Sequence, residues 1–194
     1  MMQSLLQFAL LAALLQPSLT GTVTGRITVK GVRDARDVVV YFEKIPGRAF
    51  APPAQPLVLD QVNLTFLPHV LPLLVGTTVA FPNSDEVRHN VFSPGQTSKF
   101  NLGTYPRGGT KYKVFDKPGE VTLLCNVHAE MSAFVIVTET PYFTVTHISG
   151  NFAISGIPHG TYVVKTWHER LKPQSRQIEI KDNETVRLDF ELSR

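Results

Sequence analysis

Short runs of alternating apolar and polar residues, each closed by glycine, proline or asparagine, recur from Gly21 onward with little helical periodicity between them. Side chains that alternate with a period of two face opposite sides of a pleated strand, so a chain of this kind buries apolar surface by stacking sheets. Gly21 to Lys30 (GTVTGRITVK) and Asp37 to Glu43 (DVVVYFE) read as strands joined by a turn around Gly31 to Asp34. Lys44 to Pro56 (KIPGRAFAPPAQP) is rich in proline and alanine and reads as a linker or surface excursion. A second series of strands is expected at Leu57 to Phe66, Thr77 to Phe81, His89 to Phe92, Lys111 to Phe115, Glu120 to Leu124 and Phe134 to Thr138. The fold class is therefore all-β, in Greek-key sandwich form. With 194 residues and 43% hydrophobic side chains, the chain can fill one or two cores.

Leu123 to Met131 (LLCNVHAEM) gathers the only cysteine, one of the six histidines and the only methionine beyond the N-terminal pair. A thiolate, an imidazole and a thioether suit copper, and one further imidazole would complete a trigonal His₂Cys site with a weak axial methionine. His89, in VRHNVFS, is the candidate for that imidazole.

His89-Asn90 followed by a Cys-x-x-His-x-x-Met loop resembles the type 1 copper signature of the cupredoxins, and the short loop spacing is most similar to the amicyanin type. The match runs from about Leu57 to Thr138. The resemblance implies a cupredoxin sandwich that holds one type 1 copper ion through His89, Cys125, His128 and Met131. It gives Asn90 the role of tying two ligand-bearing loops together by hydrogen bonds, and makes His128 the ring whose edge reaches the surface. Pro94, Val127, Ala129 and Phe134 are the candidates for an apolar patch around that ring. Val127 stands where many cupredoxins have proline.

Beyond Glu139 the pattern changes. Tyr142 to Ile154 and Ile157 to Val164 resemble the carboxypeptidase regulatory-like, transthyretin-like module, with Gln177 to Ile180 and Thr185 to Leu192 as closing strands. The opening strands of that module are missing from this half, and Gly21 to Glu43 is of the kind required. A small transthyretin-like β-sandwich is therefore expected to be discontinuous, made of residues 21–47 and 140–194, with the copper-binding cupredoxin domain 57–139 inserted between. In the other arrangement two domains follow one another, and Gly21 to Glu43 supplies the first strands of the copper domain.

The first twenty residues carry no charge, and Leu5 to Leu15 is an apolar run short for a membrane span, so residues 1–20 read as a signal peptide, with an uncleaved membrane anchor or a buried apolar strand as the alternative. Periplasmic or otherwise exported localisation follows, with no membrane span after cleavage. One cysteine cannot form an intrachain disulfide, and metal ligation would occupy a thiol that is otherwise a liability in an oxidising compartment. A net charge of +3 without a basic run argues against a nucleic-acid partner.

No nucleophile elbow, zinc-protease helix or phosphate loop occurs in the sequence, so the chain is read as no enzyme. A nitrite reductase would need additional histidine ligands. The expected function is single-electron transport between protein redox partners; copper storage or delivery and a cell-surface interaction module are the alternatives. His69, His147, His159 and His168 are expected in structural or solvent-facing roles, with His69 a candidate outer group near the copper and His168-Glu169 a candidate interaction surface. Trp167 is expected in a core.

Overall fold

The computed structural model describes residues 20–194, so nearly all of the segment read as a signal peptide lies outside the described residues. Every regular element among them is a strand, and among them there is no helix long and apolar enough to cross a membrane. Two strands come first, β1 (Thr20–Val29) and β2 (Val39–Phe42). Ten follow: β3 (Leu57–Val58), β4 (Asp60–Val62), β5 (Thr65–Leu67), β6 (Val70–Leu74), β7 (Thr77–Pro82), β8 (His89–Ser93), β9 (Phe100–Tyr105), β10 (Thr110–Phe115), β11 (Gly119–Leu124) and β12 (Ser132–Thr138). The last six are β13 (Phe143–Val145), β14 (Asn151–Pro158), β15 (Gly160–Trp167), β16 (Ser175–Ile180), β17 (Thr185–Arg187) and β18 (Phe190–Leu192).

The ten middle strands form a sheet ordered β6-β12-β11-β8-β9, a smaller sheet ordered β10-β7-β3, and the β4–β5 hairpin. Between them lies a core that includes Leu59, Phe66, Phe81, Phe115 and Leu123. A separate core takes Val23, Ile27, Val40 and Phe42 from the start of the chain and Ile157, Val164, Ile180 and Leu192 from its end. Its two sheets are ordered β14-β1-β17, with β18 also on β1, and β13-β2-β15-β16. At Gly25, a Cβ would lie 1.8 Å from the Leu188 carbonyl oxygen, so β1 can approach the closing segment so tightly only without a side chain there.

Strand parity explains how the two cores meet. In β12, Ala133, Val135 and Val137 point into the first core, while Phe134 and Ile136 point the other way, toward Val39, Val70, Tyr41 and Trp167. A strand covered on both faces reads as a continuous apolar run, here SAFVIVT. Trp167 is half-buried at this junction rather than set in a core; its ring lies 5.1 Å from that of Phe134, and its Nε1 donates to Glu120 Oε2 at 2.8 Å.

Three expectations about strands need correction. The run Leu57 to Phe66 is broken into three strands, because Asn63 and Leu64 adopt φ of 53° and 57° and turn the chain back on itself. β6 was unanticipated because Pro72 interrupts it; β6 pairs only with β12 and lies at a sheet edge, where proline is tolerated. β9, also at an edge, contains Gly103 at φ 74°, which obscures its alternation.

Candidate metal centre

Three features of the five-stranded sheet converge at one end. β8 begins with His89, β11 ends at Leu124 immediately before Cys125, and Leu124 pairs with Phe92 across the β11–β8 ladder. After Cys125 the chain turns, closed by a hydrogen bond from the Met131 N–H to the His128 carbonyl at 3.1 Å, and re-enters the sheet as β12. Strand pairing and turn together bring distant residues to one point. One ligand atom each from His89, Cys125 and His128 lie within 4.8 Å of one another, and among the described residues no other set of His, Cys, Asp or Glu converges this way.

The two imidazoles face each other through their Nδ1 atoms, 3.1 Å apart. His89 is 0% exposed and Cys125 4%, whereas His128 is half-buried and reaches the surface. Met131 is 1% exposed and belongs to the same buried cluster as Cys125. Two imidazole nitrogens and a thiol sulfur form a donor set whose softness suits copper. Asn90 donates from Nδ2 to Asn101 Oδ1 at 2.8 Å and accepts the Asn126 N–H at 3.4 Å, which links β8 to the turn carrying Cys125.

Two neighbours were missed from the sequence. Asp85 Oδ2 lies 2.7 Å from His89 Nε2, and the same carboxylate accepts the backbone N–H groups of Asn63 and Leu64, the latter at 2.9 Å. Burial works to raise the pKa of Asp85, but the hydrogen bonds from Leu64, His89 and Asn63 outweigh it and hold the carboxyl below its ordinary value. Tyr105 stands opposite His89 in the β8–β9 ladder, donating its hydroxyl to the Phe81 carbonyl at 2.9 Å and accepting from Gln61 Nε2 at 2.6 Å. Burial pushes the Tyr105 phenol up to about 12. An aspartate four residues before a histidine gives a faint sequence signal, whereas the tyrosine gives none.

Pro94, Val127 and Ala129 are exposed, Val127 at 47%. Phe134 does not join them, because its strand parity turns it to the junction. There it meets the His69 ring edge-on at 5.5 Å. His69 also lies apart from the cluster, with Nδ1 3.2 Å from the Ser132 carbonyl and Nε2 3.6 Å from Glu169 Oε2, so it spans the two sandwiches. His168 accepts the Arg170 N–H at 3.0 Å, and burial lowers its pKa. His159 sits 3.1 Å from Asp182, and His147 is exposed.

Solved structures similar to this one are cupredoxins, and the likeness extends over about half of the chain. Amicyanin from Paracoccus versutus is 24% identical over 44% of this chain and 83% of its own, with a TM-score of 0.40. The purple cupredoxin from Nitrosopumilus maritimus is 26% identical over 42% of this chain and 99% of its own, with a TM-score of 0.39. A copper-containing nitrite reductase from Thermus scotoductus is 26% identical over 59% of this chain and 28% of its own, with a TM-score of 0.43. No protein-family model matches the chain, and no curated protein does.

Proposed function

We propose that this protein is an exported blue-copper protein of the cupredoxin type that carries single electrons between protein redox partners. The observation that carries this reading is the convergence of His89, Cys125 and His128 within 4.8 Å. These three side chains would hold the ion, with Met131 as a weak fourth donor. Bound there, copper would supply reversible one-electron exchange between its two oxidation states.

The rest of the work falls to the chain. Cys125, enclosed by packed strands, would surrender its thiol proton to become a ligand. Because His89 sits at the start of β8 and His128 in a turn braced through Asn90, neither imidazole can swing far, which limits reorganisation between oxidation states. His128 would present its ring edge to a partner, with Pro94, Val127 and Ala129 as an apolar rim. The reading is of a carrier rather than an enzyme.

In the same proposal, residues 57–139 are a cupredoxin domain inserted into a discontinuous transthyretin-like sandwich, residues 21–47 and 140–194, and residues 1–20 direct export. The make-up of the two main buried clusters supports the insertion, since one draws on residues 23–45 and 152–192 and the other on residues 59–137.

The test is the visible spectrum after loading with Cu(II). An intense thiolate-to-copper absorption, bleached by ascorbate and abolished by Cys125→Ser, is the expected outcome. A colourless protein that retains Cu(I) tightly would point to storage or delivery instead, and failure to bind copper would sink the reading altogether.

A further inference from the structure

We infer that Asp85 is a positioning residue for the centre proposed above: its carboxylate fixes His89 as the tautomer with hydrogen on Nε2 and a lone pair on Nδ1, and the β4–β5 turn anchors that carboxylate. The inference rests on the copper reading for its purpose, while its geometry stands without it.

His89 is wholly buried, and its two ring nitrogens meet different surroundings. Nε2 lies 2.7 Å from Asp85 Oδ2, and Nδ1 faces His128 Nδ1 at 3.1 Å. An ionised carboxylate can only accept, so the contact is favourable only when Nε2 carries the hydrogen. The other tautomer would set a lone pair against a carboxylate and turn an N–H toward the point where a metal would be held. A partner on the far ring nitrogen is the usual means of orienting a ligating histidine.

Asp85 is itself firmly held. Its Oδ1 accepts the Asn63 N–H, and its Oδ2 accepts that of Leu64 at 2.9 Å as well as His89. Asn63 and Leu64 are consecutive non-glycine residues at φ 53° and 57°, a left-handed pair that a leucine rarely joins. Such a conformation persists where its surroundings over-determine it. Here both amides converge on one carboxylate. Further bonds bolt the hairpin to the segment before His89: Ser84 Oγ donates to Asp60 Oδ2 at 2.7 Å, and the Ser84 N–H donates to the Gln61 carbonyl at 3.0 Å. Asn83 accepts the Asp85 N–H at 3.0 Å and donates to the Val87 carbonyl at 2.9 Å. Asp85 therefore joins a strained turn and an imidazole through one oxygen.

The decisive measurement is long-range proton–nitrogen NMR of the His89 ring in metal-free protein. Wild type should show a single Nε2–H tautomer. Asp85→Asn keeps an acceptor for the Asn63 amide and places an N–H donor where Oδ2 faces the ring, giving up the Leu64 bond, so a mixture of tautomers should appear while amide resonances away from the β4–β5 turn stay in place. Copper affinity of that variant should fall about 10–100-fold. If Asp85→Asn unfolds, adding Leu64→Gly relieves the left-handed strain, and the double variant must show the same loss of tautomer selection. An Nδ1–H tautomer in wild type, or an undisturbed Nε2–H tautomer in the variant, overturns the inference. The result is independent of copper binding: a protein that takes up no copper yet loses its tautomer on Asp85→Asn would refute the electron-carrier reading and leave the positioning role standing.

Discussion

The two sandwiches are built alike and treat buried polar groups differently. In the sandwich of the first and last strands, the buried hydroxyls stitch backbone: Thr140 donates to the Phe42 carbonyl at 3.0 Å, Thr146 to that of Ala35, and Thr166 to that of Gln174 at 3.4 Å. In the other, Thr77 and Thr138 do the same to the Leu74 and Leu73 carbonyls. But Gln61, Asn83, His89 and Asn90 are buried there as well, bonded to Tyr105, Asp85 and Asn101 and to nearby carbonyls, and imidazole nitrogens and a thiol face a common point. Polar groups of the first kind satisfy the fold and go no further. Those of the second kind are over-determined by a network and still hold unshared lone pairs, which is what a site requires.

The most severe test of this contrast is Phe42→Ala. Phe42 is 0% exposed and meets Tyr142 and Tyr162 edge-on at 6.1 and 5.9 Å, so truncation should cost about 3–5 kcal/mol in denaturant unfolding. In the folded variant the ring resonances of His89 and His128 should not move; if they do, the two cores act as one and the contrast fails. Trp167→Phe retains the ring beside Phe134 and removes the donor to Glu120. Because that contact is solvent-exposed, a loss of about 0.5–1 kcal/mol is expected, and double-mutant cycles with Glu120→Gln would measure how firmly the junction couples the sandwiches.

The smallest effect concerns pH. Burial holds the His168 pKa below 6.5, so the unfolded chain takes up its proton first as pH falls. The contribution of this group is complete above 6.5 and is lost as pH drops through the lowered folded-state value. Melting temperatures from about pH 8 to about pH 5 should therefore fall slightly more for wild type than for His168→Gln. A parallel pair of curves would remove His168 as a source of acid sensitivity at the junction.

The all-β class was legible because alternation survives in most strands, and the Cys125, His128 and Met131 grouping because a single turn carries it. His89 was a candidate from the donor set that copper prefers and from the family resemblance, but its approach to the others was not legible, since it depends on the β8–β11 pairing. Asp85 was illegible for a stronger reason: its partners include the amides of a turn that folds in from Asn63 and Leu64. Phe134 lies away from His128 despite closeness in sequence, because strand parity decides which face of β12 its ring occupies. Pro72 and Gly103 hid edge strands because both residues are more often read as breaks than as features of a sheet margin.

β1 has a consequence for synthesis. Its partners are β14, β17 and β18, all made after the ten middle strands are complete. As the chain emerges in order, it can bring His89, Cys125 and His128 together while β1 still lacks every partner strand. The first strand among the described residues is thus one of the last to find its place.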